Sequence, residues 1–137
     1  MRTVWRTLTI VLVAGLAASG CGQDGAAATA SAVSDRFMTA VESGDGELAC
    51  AQLTPEARAA LESQEQRQCR EAVTELRLES GSVTSVRVYA LNAMVELSSG
   101  EAEFLEQGEQ GWRLSAVGCE PQAGMPADRP YDCRLED

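Results

Sequence analysis

The chain has no histidine. That absence removes Ser-His-Asp and Cys-His catalysis, the His-containing zinc sites and the side chain that ordinarily titrates near neutral pH. It also has no lysine, so every side-chain cation is an arginine. The basic total of 11 is outweighed by 21 acidic residues, for a formal net charge of -10. A nucleic-acid partner requires a basic patch to neutralise phosphates, and this composition excludes one. Aromatic residues are scarce, with two each of Trp, Tyr and Phe, so a core built from this chain needs most of them. No apolar run reaches the ~20 residues of a membrane-spanning helix.

What is present begins with an amino-terminal export signal. Arg2 and Arg6 flank the start of an apolar run over residues 8–18 that only Thr9 interrupts, and Ala18-Ser19-Gly20 leads directly to Cys21. This is the layout of a secretory signal peptide, which stands outside the fold. The Ala-Ser-Gly-Cys ending resembles a bacterial lipobox. The resemblance implies that residues 1–20 are removed and that Cys21 becomes an acylated first residue, tethering the protein to the extracytoplasmic face of the cell membrane. Cleavage at Ala26-Ala27-Ala28 is the alternative, and would release a soluble protein. Residues 21–28, small and polar, read as a flexible tether. Residues 29–137 amount to one domain.

Five cysteines are an odd number for an exported protein, and Cys21 as lipid acceptor accounts for the odd one. Cys50, Cys69, Cys119 and Cys133 remain, an even set in an oxidising compartment. Of three connectivities, Cys50–Cys69 and Cys119–Cys133 join cysteines close in sequence and within one structural region each. A four-cysteine zinc site is the competing reading, and no Cys-x-x-Cys spacing supports it.

The domain changes texture midway. Val33, Phe37, Ala40 and Val41 recur at helical spacing and predict a helix over residues 29–43. Gly44-Asp45-Gly46 stops it, and Asp45 caps a second helix over 47–53. Thr54-Pro55 starts a third, with Thr54 as N-cap. A fourth is expected over 65–78, with Cys69, Ala72, Val73 and Leu76 on its apolar face. Period-two alternation then predicts strands over 83–89, 93–97, 101–107 and 112–118, joined by short turns into an antiparallel meander. Ala102, Phe104, Trp112 and Leu114 are expected to face inward. Arg87, Glu96, Glu103 and Arg113 are expected to face outward as cross-strand charge pairs. Residues 120–132 read as an irregular loop stapled by Cys119–Cys133.

Helices followed by an antiparallel sheet of about four strands give an α+β fold, with the helices covering one sheet face. The order resembles the NTF2-like (cystatin-like) cone, whose sheet is curved. The segments Gly44-Asp45-Gly46-Glu47-Leu48-Ala49-Cys50, Leu53-Thr54-Pro55-Glu56-Ala57-Arg58, Gly111-Trp112-Arg113-Leu114, Gly118-Cys119-Glu120-Pro121 and Pro130-Tyr131-Asp132-Cys133 resemble a group of uncharacterised actinobacterial lipoproteins. That resemblance implies topology and location and no activity.

Function then divides three ways. The first is a lipid-anchored binding module for a small apolar ligand or an envelope protein, with Phe37, Val88, Phe104, Trp112 and Leu114 as candidate pocket lining. The bland account of these five is that they are core. The second is an isomerase or dehydratase of the NTF2-like kind, with Tyr89 as hydrogen-bond donor and Glu96 or Glu103 as base. The third is an accessory subunit of a membrane partner. No cofactor or metal is implied, and the first reading treats the protein as a non-enzyme. A catalytic carboxyl would have to be raised by burial on the inner face. Strand parity offers only Glu106 there.

Overall fold

The computed structural model describes residues 21–123 and 130–137; residues 1–20, read from the sequence as a signal peptide, lie outside them. The element order is α1 (Cys21–Ser43), α2 (Gly46–Gln52), α3 (Pro55–Glu65), α4 (Cys69–Ala72), then β1 (Val83–Tyr89), β2 (Asn92–Leu97), β3 (Ala102–Gly108), β4 (Gly111–Pro121) and β5 (Tyr131–Glu136). The fold is α+β, with helices packed on one antiparallel sheet ordered β1-β2-β3-β4-β5.

The expected helix stops have identifiable chemistry. Asp45 accepts a hydrogen bond from the Leu48 N–H at 3.0 Å, and Thr54 accepts one from the Ala57 N–H at 3.0 Å. Each satisfies a backbone donor that the first turn leaves free. Pro55 occupies the first turn of α3, where no N–H is needed. Gln66 ends α3 in the left-handed conformation, with φ of 54°.

Four expectations need correction. Helix α1 begins at Cys21, so the segment read as a tether is helical. Its alanines are strong helix formers, and Ala26 packs against the core. The expected helix over 65–78 is instead the single turn of α4 and a 3₁₀ turn over Val73–Glu75. The Glu62 carboxylate accepts from the Cys69 N–H at 3.0 Å and sets a new start there, after the left-handed break at Gln66. The C-terminal loop contains a fifth strand, β5, which pairs with the end of β4, so the sheet has five strands rather than four. Finally, the faces of β3 are reversed. Val95 pairs with Glu103 and Ala93 with Leu105, so Glu103 lies on the helix-facing side with those residues. Glu106, expected inside, is exposed.

The main core lies between helices and sheet. Phe37, Leu53, Leu61, Val73, Val95, Leu105, Trp112, Leu114 and Leu135 are among its members. A second, smaller cluster contains Met94, Ala102, Ala116 and Cys119, with Phe104, Tyr131 and Cys133 packed on it. Phe104 and Tyr131 meet edge to face, with centroids 5.2 Å apart. Both disulfides are those expected, Cys50–Cys69 and Cys119–Cys133.

Candidate functional site

The five residues proposed as pocket lining do not line one cavity. Phe37, Trp112 and Leu114 are fully buried members of the main core, and Val88 packs on the same core at its margin. Phe104 belongs to the second cluster, because it pairs with Met94 on the opposite sheet face. The rings of Phe37 and Trp112 and the branched chains of Leu114 and Val88 help fill the main interior.

The most developed open feature is at the edge of β4. The segment joining α2 to α3 runs beside β4, where the Thr54 N–H donates to the Leu114 carbonyl at 2.8 Å and Leu53 pairs with Leu114. Between this segment and the β3–β4 hairpin opens a cleft of about 720 Å³. Arg58 and Arg113 line it together with Glu56, Glu106 and Glu109, and Gly108 and Gly111 form part of its wall. Each arginine already holds a backbone carbonyl. Arg58 Nη2 donates to the Cys50 carbonyl at 2.8 Å, and Arg113 Nη1 donates to the Trp112 carbonyl at 3.1 Å. The cleft thus offers charges of both signs beside two glycines of its wall. Arg113 and Glu106 also oppose each other across β3 and β4. Sequence reasoning placed Glu106 inside and did not find the cleft. The turn residues Gly108-Glu109-Gln110-Gly111 were its visible signal.

The outer charge network forms in part. Arg87 and Glu96 make an ion pair of 3.1 Å, and the Ser85 hydroxyl also donates to Glu96. Glu103 is absent from it. Glu103 is 1% exposed, and its Oε2 accepts from the Ser34 hydroxyl of α1, itself wholly buried. Its other oxygen, Oε1, has no partner among the described residues. Burial pushes the Glu103 carboxyl up to about 7; the Ser34 bond opposes the shift, while the charges of Glu101 and Asp35 add to it. Glu101 is also buried, but it is paired, with Arg134 at 3.5 Å and the Glu79 N–H at 3.2 Å.

A carboxyl near neutrality meets one requirement of a general base. The other is contact with the reacting molecule, and α1 covers Glu103. Tyr89, the proposed donor, is exposed at the far end of β1, and Glu96 lies on the opposite sheet face from Glu103, within its pair with Arg87. The three residues of the isomerase reading therefore do not converge. No group of three or more His, Cys, Asp or Glu among the described residues is placed to hold a metal ion. No helix among them is long and apolar enough to cross a membrane. The chain matches no known family model, no curated protein and no solved structure.

Proposed function

We propose that this is an exported domain held at the extracytoplasmic face of the cell membrane by a lipid on Cys21, and that it acts by binding an envelope protein through the cleft at the β4 edge. One observation carries the binding reading: the interior is packed, its near-neutral carboxyl is sealed at 1% exposure, and the cleft leaves charges of both signs open to a partner. Interspersed charges beside two glycines suit a peptide segment, which presents charges of both signs and amides together. Helices followed by an antiparallel sheet support assignment to the NTF2-like cone and to the lipoprotein group that the sequence resembles. Neither assignment names a partner, since fold does not determine function.

The enzyme alternative rests on Glu103 as base with Ser34 as its hydroxyl neighbour, and requires α1 to lift from the sheet. An accessory role beside a membrane partner is the same binding reading with its partner specified.

Two measurements test the proposal. Cys21→Ala should shift the protein out of the membrane fraction or leave the precursor uncleaved, and the wild-type mature protein should carry acyl mass at its first residue. An unmodified mature N-terminus refutes the anchor. For the cleft, a photo-crosslinking side chain in place of Arg113 should give a discrete protein adduct in cells. The same group in place of Thr84, on β1 away from the cleft, should not. Adducts from position 84 without any from position 113 would place the binding surface elsewhere.

A further inference from the structure

Among the described residues three large hydrophobic side chains are exposed: Leu48, Tyr89 and Leu91. Two of them flank a single residue, Ala90, in the turn from β1 to β2, where Tyr89 and Asn92 form the closing pair. Tyr89 is 58% exposed and Leu91 62%. Ala90 has φ of 53°, a conformation that suits Gly or Asn and is strained for a residue with a Cβ. The turn therefore carries apolar side chains where ordinary hairpin chemistry favours small or polar ones.

Charge sets the same turn apart. No acidic residue occurs between Glu79 and Glu96, the longest such run after Asp24 in a chain of net charge -10, and the run contains Arg87. An anionic membrane surface repels acidic segments and tolerates neutral or basic ones.

The fold decides which way the turn points. Asp35, Met38, Thr39 and Glu42 of α1 adjoin Ser80 and Ser82, where the chain enters β1. The C-terminal half of α1 thus lies at the end of the sheet away from the β1–β2 turn, and its N-terminal half runs toward that turn. From Ser34, thirteen helical residues rise about 20 Å to Cys21. From Val95, the cross-strand partner of Glu103, three residues of β2 reach about 10 Å to Asn92, and the two-residue turn lies just beyond. Starting from the same Ser34–Glu103 level, α1 and β2 both run toward the end of the molecule that carries the β1–β2 turn.

We propose that the Tyr89-Ala90-Leu91 turn is a second membrane contact, seated in the headgroup layer beside the lipid on Cys21. A single chain on Cys21 leaves the domain free to swivel. A tyrosine and a leucine at the interface fix which face meets the bilayer, since Tyr favours the boundary and Leu the acyl side of it. The neighbouring turn carries Glu109, and the Leu91 carbonyl accepts from the Gln107 N–H at 2.8 Å, so acid lies close on one side. The contact is therefore confined to the β1–β2 corner and is shallow. This inference rests on Cys21 being acylated.

The test uses the lipidated protein in vesicles of mixed zwitterionic and anionic phospholipid. Trp112 is buried, and Trp5 lies in the segment removed on processing, so Tyr89→Trp adds one exposed reporter. Its emission should move to the blue on reconstitution, as expected for an indole brought from water to the headgroup level. Lipids with a quencher near the headgroup should reduce it more than lipids with a quencher at the chain end. Adding Leu91→Asp should reverse both effects while far-ultraviolet circular dichroism stays unchanged. Water-like, unquenched emission from an acylated protein overturns the second contact and leaves the anchor standing. Mass analysis showing no acyl group overturns both.

Discussion

Glu103→Gln is expected to stabilise the domain by about 3 kcal/mol at pH 8 and to change little at pH 4. The carboxyl has an ordinary value of 4.5 and is raised by burial to about 7 in the folded protein. Below 4.5 both folded and unfolded chains hold the proton, so this group adds no pH dependence. Between 4.5 and about 7 the unfolded chain ionises while the folded one stays neutral. Each pH unit in that window removes about 1.4 kcal/mol of stability. Above about 7 the folded carboxyl ionises too, and the full loss is in place. Glutamine has the same shape, can keep the Ser34 bond and cannot ionise. The difference in unfolding free energy between variant and wild type, from urea titrations at several pH values, should therefore grow from pH 4.5 to 7 and then level off. Parallel profiles would show that the carboxyl is solvated or paired and not sealed under α1. Because the comparison is a difference, the surface carboxylates cancel. The same experiment bears on the enzyme alternative, since a base that must be ionised to work would sit in the state that destabilises the fold.

Much of the helical half was legible because its signals are local. Asp45 and Thr54 cap where their side-chain chemistry says they should, and Cys50 and Cys69 meet as the apolar stripes imply. The β3 parity was not legible, for a physical reason. Alternation identifies the inner face only when the other face is wet. Here the second face is covered at its centre by Tyr131 and the Cys119–Cys133 bridge, so Ala102 and Phe104 are apolar without facing the helices. A buried carboxylate on the helix side then looks like an outward polar residue. Strand β5 was hidden similarly. Its residues, Tyr131-Asp132-Cys133-Arg134-Leu135-Glu136, follow Pro130 and form an edge strand, where proline is tolerated nearby and one side lacks a partner. The cysteine pair did mark the register, since Cys119 lies opposite Cys133 in the ladder. The cleft was missed because its walls come from two segments far apart in sequence, Thr54–Arg58 and the β3–β4 turn.

Gly46→Ala should be among the most damaging single methyl additions available to this chain. Gly46 opens α2 and is buried, and a Cβ built there would lie 1.7 Å from the Arg70 carbonyl oxygen and 2.6 Å from its carbonyl carbon. No rotamer change relieves the clash, because the obstructing atoms are backbone. Helix α4 would have to move away from α2. Cys50 is one helical turn beyond Gly46 on α2, and Cys69 immediately precedes Arg70 on α4, so the same displacement pulls on the Cys50–Cys69 bridge. Two effects then combine. Overpacking against rigid backbone costs about 1–3 kcal/mol. Failure of the bridge to close adds about 3 kcal/mol, from the loop entropy returned to the unfolded chain. The expected outcome is a loss of at least ~3 kcal/mol by denaturant titration. Peptide mapping under non-reducing conditions should recover free thiols at Cys50 and Cys69 while Cys119–Cys133 stays joined. Gly44→Ala is the control, since open space surrounds its Cβ and only its φ of 74° is strained. It should cost about 1–2 kcal/mol and leave both bridges intact. If Gly46→Ala behaves like Gly44→Ala, with a full complement of disulfides, then α2 and α4 do not pack closely enough to exclude a Cβ at position 46.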